Sequence, residues 1–181
     1  MIYSTTQQKL DFDVDISNPD LHFKPSRKCV HIIIKNPRTN KYLVINNKAT
    51  KSCSYYDYYL VGGGIEQGEE SIDCVHREIS EETGILINEF KNIQYLAFGK
   101  QKFAVPAFVE FGLEATNKNL ENTVFYVETD SELENYQESE TAKFQEFTQW
   151  ITLEELQNNI LPGFNWVLQN LESLLAINKT L

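Results

Sequence analysis

Gly63-Gly64-Ile65-Glu66-Gln67-Gly68-Glu69-Glu70-Ser71-Ile72-Asp73-Cys74-Val75-His76-Arg77-Glu78-Ile79-Ser80-Glu81-Glu82-Thr83-Gly84-Ile85 carries the densest pattern in the chain. The spacing predicts a helix from about Ser71 to Thr83, ended by Gly84, the residue type that takes the left-handed C-terminal position without a Cβ penalty. At roughly 100° per residue, Glu78, Glu81 and Glu82 fall within about 100° of one another, so three carboxylates project from one stripe. Ile72, Val75 and Ile79 form the adjacent stripe and are expected to anchor the helix to a core. Like charges so close repel unless a cation lies between them. Clustered hard oxygen donors suit Mg2+ or Mn2+ rather than zinc. Arg77, four residues before Glu81, is expected to hold a carboxylate through a forked contact. Glu69, just ahead of the helix, can fold back onto Arg77. Gly62 to Gly64 let the backbone approach a ligand closely, and a carbonyl there could join the metal. For any single glutamate, a solvated acidic helix face with an ordinary arginine pair is the competing explanation. The whole set, nine constrained positions within 23 residues, argues against it.

Upstream, Cys29 to Lys35 is dense in β-branched residues and is expected to form a buried strand. Asn36-Pro37-Arg38-Thr39-Asn40 is a turn signal, and Lys41 to Asn46 completes a hairpin. Asn47 to Tyr59 is polar and tyrosine-rich, a loop leading into a short strand at Tyr58 to Val61. Gly62 to Gly64 then end regular structure. Downstream, strands are expected at Ile93 to Gly99, Phe103 to Phe111, Thr123 to Glu128 and Phe144 to Ile151, with an acidic loop at Ser131 to Thr141. Thr152-Leu153-Glu154-Glu155 matches a capping box that opens a short helix to about Asn159. Pro162 opens a closing helix with Phe164, Val167, Leu168, Leu171, Leu174 and Leu175 on one face. Strands and helices are mixed rather than strictly alternating, so the fold class is α/β (α+β) with a mixed sheet. Residues 1–26 are polar and read as a loosely structured extension before a single domain, 27–181.

A length of 181 residues suffices for a core without covalent staples. Three cysteines, an odd number with no CxxC pair, point away from a disulfide framework and from a zinc site, and fit a reducing, cytoplasmic setting. Met1 to Asp15 lacks the apolar region of a signal peptide, and no run approaches the ~20 apolar residues of a membrane span. The net charge of −10 argues against coating nucleic acid, whose phosphates need clustered Lys and Arg. The acidity serves solubility or, in part, a carboxylate cluster for a divalent cation; composition alone does not separate the two.

The segment Gly63 to Ile85 resembles the Nudix box, Gly-x5-Glu-x7-Arg-Glu-(aliphatic)-x-Glu-Glu-x-Gly-(aliphatic), with no departure. The order of elements over roughly residues 27 to 177 resembles the Nudix α/β/α sandwich. That resemblance implies hydrolysis, by metal-activated water, of a diphosphate bond in a nucleoside diphosphate linked to another group. It implies ligation of Mg2+ (or Mn2+) by Glu78, Glu81 and Glu82, with a backbone carbonyl at Gly62 contributing. The same resemblance implies an orienting role for Arg77, a supporting one for Glu69, and a base that is Glu78 or an acid outside the box. Glu146, four residues before Trp150, is the first candidate for an extra acidic ligand, with Glu138 and Glu140 as alternatives.

Substrate-binding candidates are Gly63, Gly64, Tyr58, Lys48 and Phe103. Tyr55, Tyr56, Tyr58 and Tyr59 could stack on a base, although alternate tyrosines facing a core is the favoured account. Lys48 and Lys51 could meet phosphates or simply be solvated; Phe103 and Phe108 could line a base pocket or pack in the core. His31 is expected to be a satisfied core histidine, His76 a surface or packing residue, and Cys74 a small packing residue. Subfamily marks are missing. There is no coenzyme A or NADH signature. Gln101 stands where many ADP-ribose hydrolases carry proline, and Gln101-Lys102-Phe103 replace the tyrosine of dinucleoside polyphosphate hydrolases. Nucleoside triphosphates, oxidised ones included, and nucleotide sugars stay open as substrates. The expected partner is a small nucleotide-like diphosphate, with no nucleic-acid duplex and no membrane; a homodimer stays open. The competing functions are a non-catalytic Nudix-fold nucleotide sensor and an unrelated scaffold whose acidic helix is fortuitous.

Overall fold

The computed structural model describes residues 10–11, 27–46, 57–105, 116–131, 147–160 and 162–178. The elements run β1 (Leu10–Asp11), β2 (Arg27–Asn36), β3 (Lys41–Asn46), β4 (Tyr58–Tyr59), β5 (Val61–Gly64), α1 (Ser71–Thr83), β6 (Phe90–Val105), β7 (Thr116–Thr129), β8 (Thr148–Ile151), α2 (Leu153–Asn159), α3 (Pro162–Gln169) and α4 (Leu171–Asn178), with a 3-10 turn at Ile87–Glu89.

β2 organises the sheet. Along one edge it runs parallel to β7, from Arg27 opposite Leu120 to Lys35 opposite Glu128. Its other edge is shared: Cys29 to Ile32 pair with β5 and Ile34 to Asn36 with β3, both antiparallel. β3 also carries β4 and β8, and β7 passes outward to β6 and then β1. Successive strand residues point to opposite faces, so β2 feeds two cores. Val30, Ile32 and Ile34 join Val75 and Ile79 of α1 on one face. Ile33 joins Leu156, Phe164, Val167 and Leu168 of α2 and α3 on the other. Burial on both sides explains the near-continuous apolar run of this strand. The result is the expected α/β/α sandwich around a mixed sheet.

Several boundaries differ from expectation. Gly62 to Gly64 do not end regular structure; they form β5, paired residue for residue with β2. Ladder hydrogen bonds come from the backbone, so the absence of side chains does not prevent them. The short strand expected at Tyr58 to Val61 is split at Leu60 between β4 and β5. The strands expected at Ile93 to Gly99 and from Phe103 are one, β6, bent by register shifts at Lys91/Gln94 and Tyr95/Ala97 that absorb the irregular pattern. β7 begins earlier than Thr123 because it follows the full length of β6. The last strand is Thr148–Ile151 within the described residues. The closing helix is broken at Asn170, whose N–H is shared between the carbonyls of Trp166 and Val167, yet its apolar face is kept: Phe164, Val167, Leu168 and Leu171 are buried, and Leu174 and Leu175 pack against them. Within residues 1–26, Leu10 and Asp11 pair with Phe103 and Lys102 at the edge of β6. The capping box at Thr152 forms as expected: Glu155 N–H donates to Thr152 Oγ1, and Thr152 N–H to Glu155 Oε2. Among the described residues, no helix is long and apolar enough to cross a membrane.

Candidate active site

α1 is held to the sheet by Cys74, Val75 and Ile79, all buried, whereas Ile72 in the first turn is exposed rather than part of the anchoring stripe. Gly84 ends the helix at φ 71°, its N–H donating to Ser80 O. Thr83, fully buried, ties the exit down: its hydroxyl donates to Ile79 O at 2.6 Å and accepts from Ile85 N–H at 3.1 Å. The helix thus leaves its acidic stripe lying along β5.

Ahead of α1 the chain turns at Gly68, φ 84°, which brings Glu69 back over Glu66. There Glu69 meets Arg77 in a fork, Nε to Oε1 at 2.8 Å and Nη2 to Oε2 at 3.0 Å. The Arg77 hydrogen bond, aided by the Glu66 N–H, holds the Glu69 carboxyl down at about 2. Arg77 also donates through Nη1 to Glu78 Oε1 at 2.7 Å and through Nη2 to Gly64 O at 3.0 Å. The expected fork therefore grips Glu69, and Glu81 lies farther off at 3.6 Å. One guanidinium binds the pre-helix turn, the helix and β5 together.

The three box carboxylates differ in setting. Glu78 is buried and lies flat on Gly63, where a Cβ would fall 2.5 Å from its carboxyl carbon. Glu82 accepts the Gly62 N–H at 2.9 Å, and the Glu81 side chain is about one-third exposed. Glu78 and Glu81 share Arg77 Nη1, at 2.7 Å and 3.6 Å, while Glu82 turns to the strand. Among the described residues no three Asp, Glu, His or Cys side chains are gathered as a finished metal site. The donor chemistry fits a hard divalent cation nonetheless: three carboxylates on one helix stripe, with a glycine edge that leaves Glu78 room a Cβ would fill.

A sequence profile of the NUDIX domain matches residues 25–170. The chain belongs to the NUDIX family. Among curated relatives it is similar to the NAD-capped RNA hydrolase NudC of Vibrio atlanticus, 34% identical over 87 residues, which are 48% of this chain and 29% of that protein. It is also similar to the RNA pyrophosphohydrolase of Bartonella quintana, 31% identical over 101 residues, 49% of this chain and 53% of that one. The chain thus spans less than two thirds of these relatives. The solved E. coli dihydroneopterin triphosphate pyrophosphohydrolase superposes with a TM-score of 0.54 at 14% identity, over 82% of this chain and 97% of that one, a likeness of fold.

Within this Nudix site the structure brings together Gly62, Gly63, Gly64, Glu69, Arg77, Glu78, Glu81 and Glu82. Tyr58 is half-buried and packs toward the α2–α4 core, away from α1. Phe103 is placed only by its register on β6, opposite Lys118. Lys48, Lys51, Tyr55, Tyr56, Phe108, Glu138, Glu140 and Glu146 lie outside the described residues. His31 is half-buried beside the core and satisfied: its Nε2–H donates to Asn122 Oδ1 at 3.1 Å and its ring lies 4.5 Å from that of Phe164. His76 is half-buried. Cys74 is packed beside Arg77, and burial pushes its thiol up to about 12, so it stays protonated and inert. Two residues escaped the sequence reading. Thr83 sits at an undefined position of the box, yet its helix-end location after Ile79 was a usable sign. Arg27, whose guanidinium lies against Gly64, gave no sign, since the two are far apart in the chain.

Proposed function

We propose that this chain is a pyrophosphohydrolase that uses Mg2+ or Mn2+ to cut the diphosphate of a nucleoside diphosphate linked to another group. The observation that carries this is the Arg77 clamp, which ties Glu69 and Glu78 of an intact box to the Gly64 carbonyl of the glycine-rich strand β5. Glu78, Glu81, Glu82 and the Gly62 carbonyl would hold the cation, exchanging their present donors for it. When bound, the ion supplies Lewis acidity and lowers the pKa of a water beside the phosphorus. Arg77 fixes Glu78, and Glu69 fixes Arg77. The side-chain-free edge of β5 lets an anionic diphosphate reach the backbone. Glu78, or an acid outside the box such as Glu146, takes the proton from the attacking water. Tyr58, Lys48 and Phe103 are assigned to the nucleotide side of the substrate.

The relatives named for capped RNA and for RNA support a terminal diphosphate on an RNA 5′ end as one form of the substrate. The bond is the same, and a charge of −10 favours gripping an end over tracking a backbone. The deciding experiment is Mg2+-dependent product release over a panel of nucleoside triphosphates, nucleotide sugars, dinucleotides and 5′-capped or triphosphorylated RNA. We expect turnover of at least one, and a fall of several orders of magnitude in Glu82→Gln with its fold retained. Turnover of none would favour the nucleotide sensor; near-full activity of Glu82→Gln at saturating Mg2+ would overturn the metal assignment.

A further inference from the structure

β5 presents two consecutive glycines to opposite faces of the sheet. Gly63 pairs with Val30, whose side chain joins the α1 core, and Glu78 covers it there. Gly64 pairs with Cys29 and so faces the other way. Arg27, two residues before Cys29 on that same face, is the diagonal neighbour of Gly64, within reach of a long side chain. A Cβ on Gly64 would collide with Nη2, Nε and Cζ of Arg27, the last at 2.6 Å. Gly64 is not among the positive-φ glycines, which are Gly62, Gly68 and Gly84. Its backbone would accept another residue, and a Cβ there would push the exposed Arg27 guanidinium off the strand.

Two guanidinium groups therefore meet at Gly64. Arg77 is committed to Glu69, Glu78 and the Gly64 carbonyl. Arg27 is exposed, and among the described residues its side chain has no hydrogen-bond or ion-pair partner. β5 pairs with β2 alone, so among the described residues its second edge carries no strand. A diphosphate lying along that edge would have the box acids on one side and the open Arg27 fork on the other. A guanidinium matches phosphate oxygens two at a time, and an acidic protein needs a fixed cation where it admits an anion.

We propose that Arg27 is a phosphate-binding residue of this site, gripping the diphosphate from the face of β5 opposite the box glutamates, and that Gly64 is free of a side chain so that Arg27 can lie there. The proposal rests on the hydrolase assignment above and deepens it. The test is calorimetric titration of the full chain with methylenediphosphonate in the presence of Mg2+, and with a 5′-diphosphate RNA oligonucleotide. Arg27→Gln should weaken both about 10- to 100-fold, the loss of a charge-assisted fork, with Arg27→Lys between it and wild type. Gly64→Ala should show the same loss by displacing the guanidinium, and the double variant should be no worse than either single one, since both remove one contact. Melting temperatures should stay close to wild type throughout. Tight binding by Arg27→Gln alongside normal hydrolysis by the wild type would overturn the Arg27 assignment alone. A loss confined to the oligonucleotide would also overturn it, placing Arg27 on the RNA backbone. Weakened binding in a protein that hydrolyses nothing would sink the hydrolase assignment and leave the phosphate site standing. No diphosphate binding by the wild type would overturn both.

Discussion

All three nitrogens of Arg77 are engaged at once, which ties the acid stripe, the preceding turn and the glycine strand into one rigid unit. His31 does comparable work on the opposite face by staying uncharged. Burial lowers its pKa to about 4, against the Asn122 hydrogen bond, which opposes the shift. An unfolded histidine titrates near ~6.5. Between those values the unfolded chain takes up a proton that the folded chain does not, so stability falls as pH drops from about 6.5 to about 4 and is unaffected by this group above that window. The urea midpoint of the wild type should fall between pH 7 and pH 5 by more than that of His31→Gln; equal falls would show that His31 does not carry this pH dependence. At this scale the sequence was legible where partners are close in the chain. Glu69 and Arg77 sit eight apart, with a turn and two helical turns between them. Arg27 and Gly64 meet only through strand register, which no local pattern encodes.

Among the elements, α1 was readable from its bounds to its cap, because a 3.6-residue period and a C-terminal glycine are local signals. Its anchoring was readable only in part. Periodicity gives the face of a helix, not how far along that face the sheet extends, and Ile72 falls beyond it. Ile79→Ala should therefore cost about 2–5 kcal/mol in denaturant unfolding, while Ile72→Ala should stay within about 0.5 kcal/mol. Similar costs for the two would mean that the first turn is packed after all. β5 was hidden for a different reason: strand preference is expressed through side chains packing on a pleated surface, and three consecutive glycines have none. The backbone ladder to β2 and the ligand-facing edge it creates are invisible to such a pattern.

For the whole molecule, the mixed order of strands and helices indicated an α/β (α+β) class with a mixed sheet, and the sandwich followed from the resemblance to the Nudix family; the alternation in β2 shows why two helical layers are needed: each face of that strand must be covered. The parallel pairing of β2 with β7, which brings chain segments about ninety residues apart together, was not foreseeable from local signals. That long-range frame sets β5 beneath α1, and the acids then stand at a strand edge with no neighbour among the described residues. The excess of acidic residues acquires a local meaning there, as a place where a divalent cation relieves repulsion among Glu78, Glu81 and Glu82. The most direct measurement is a Mn2+ titration followed by the electron paramagnetic resonance of the ion, on the wild type and on Glu81→Gln/Glu82→Gln. Saturable binding by the wild type, lost in the double variant with the fold retained, is the expected result; equal Mn2+ binding by the two proteins would show that these carboxylates do not hold the ion.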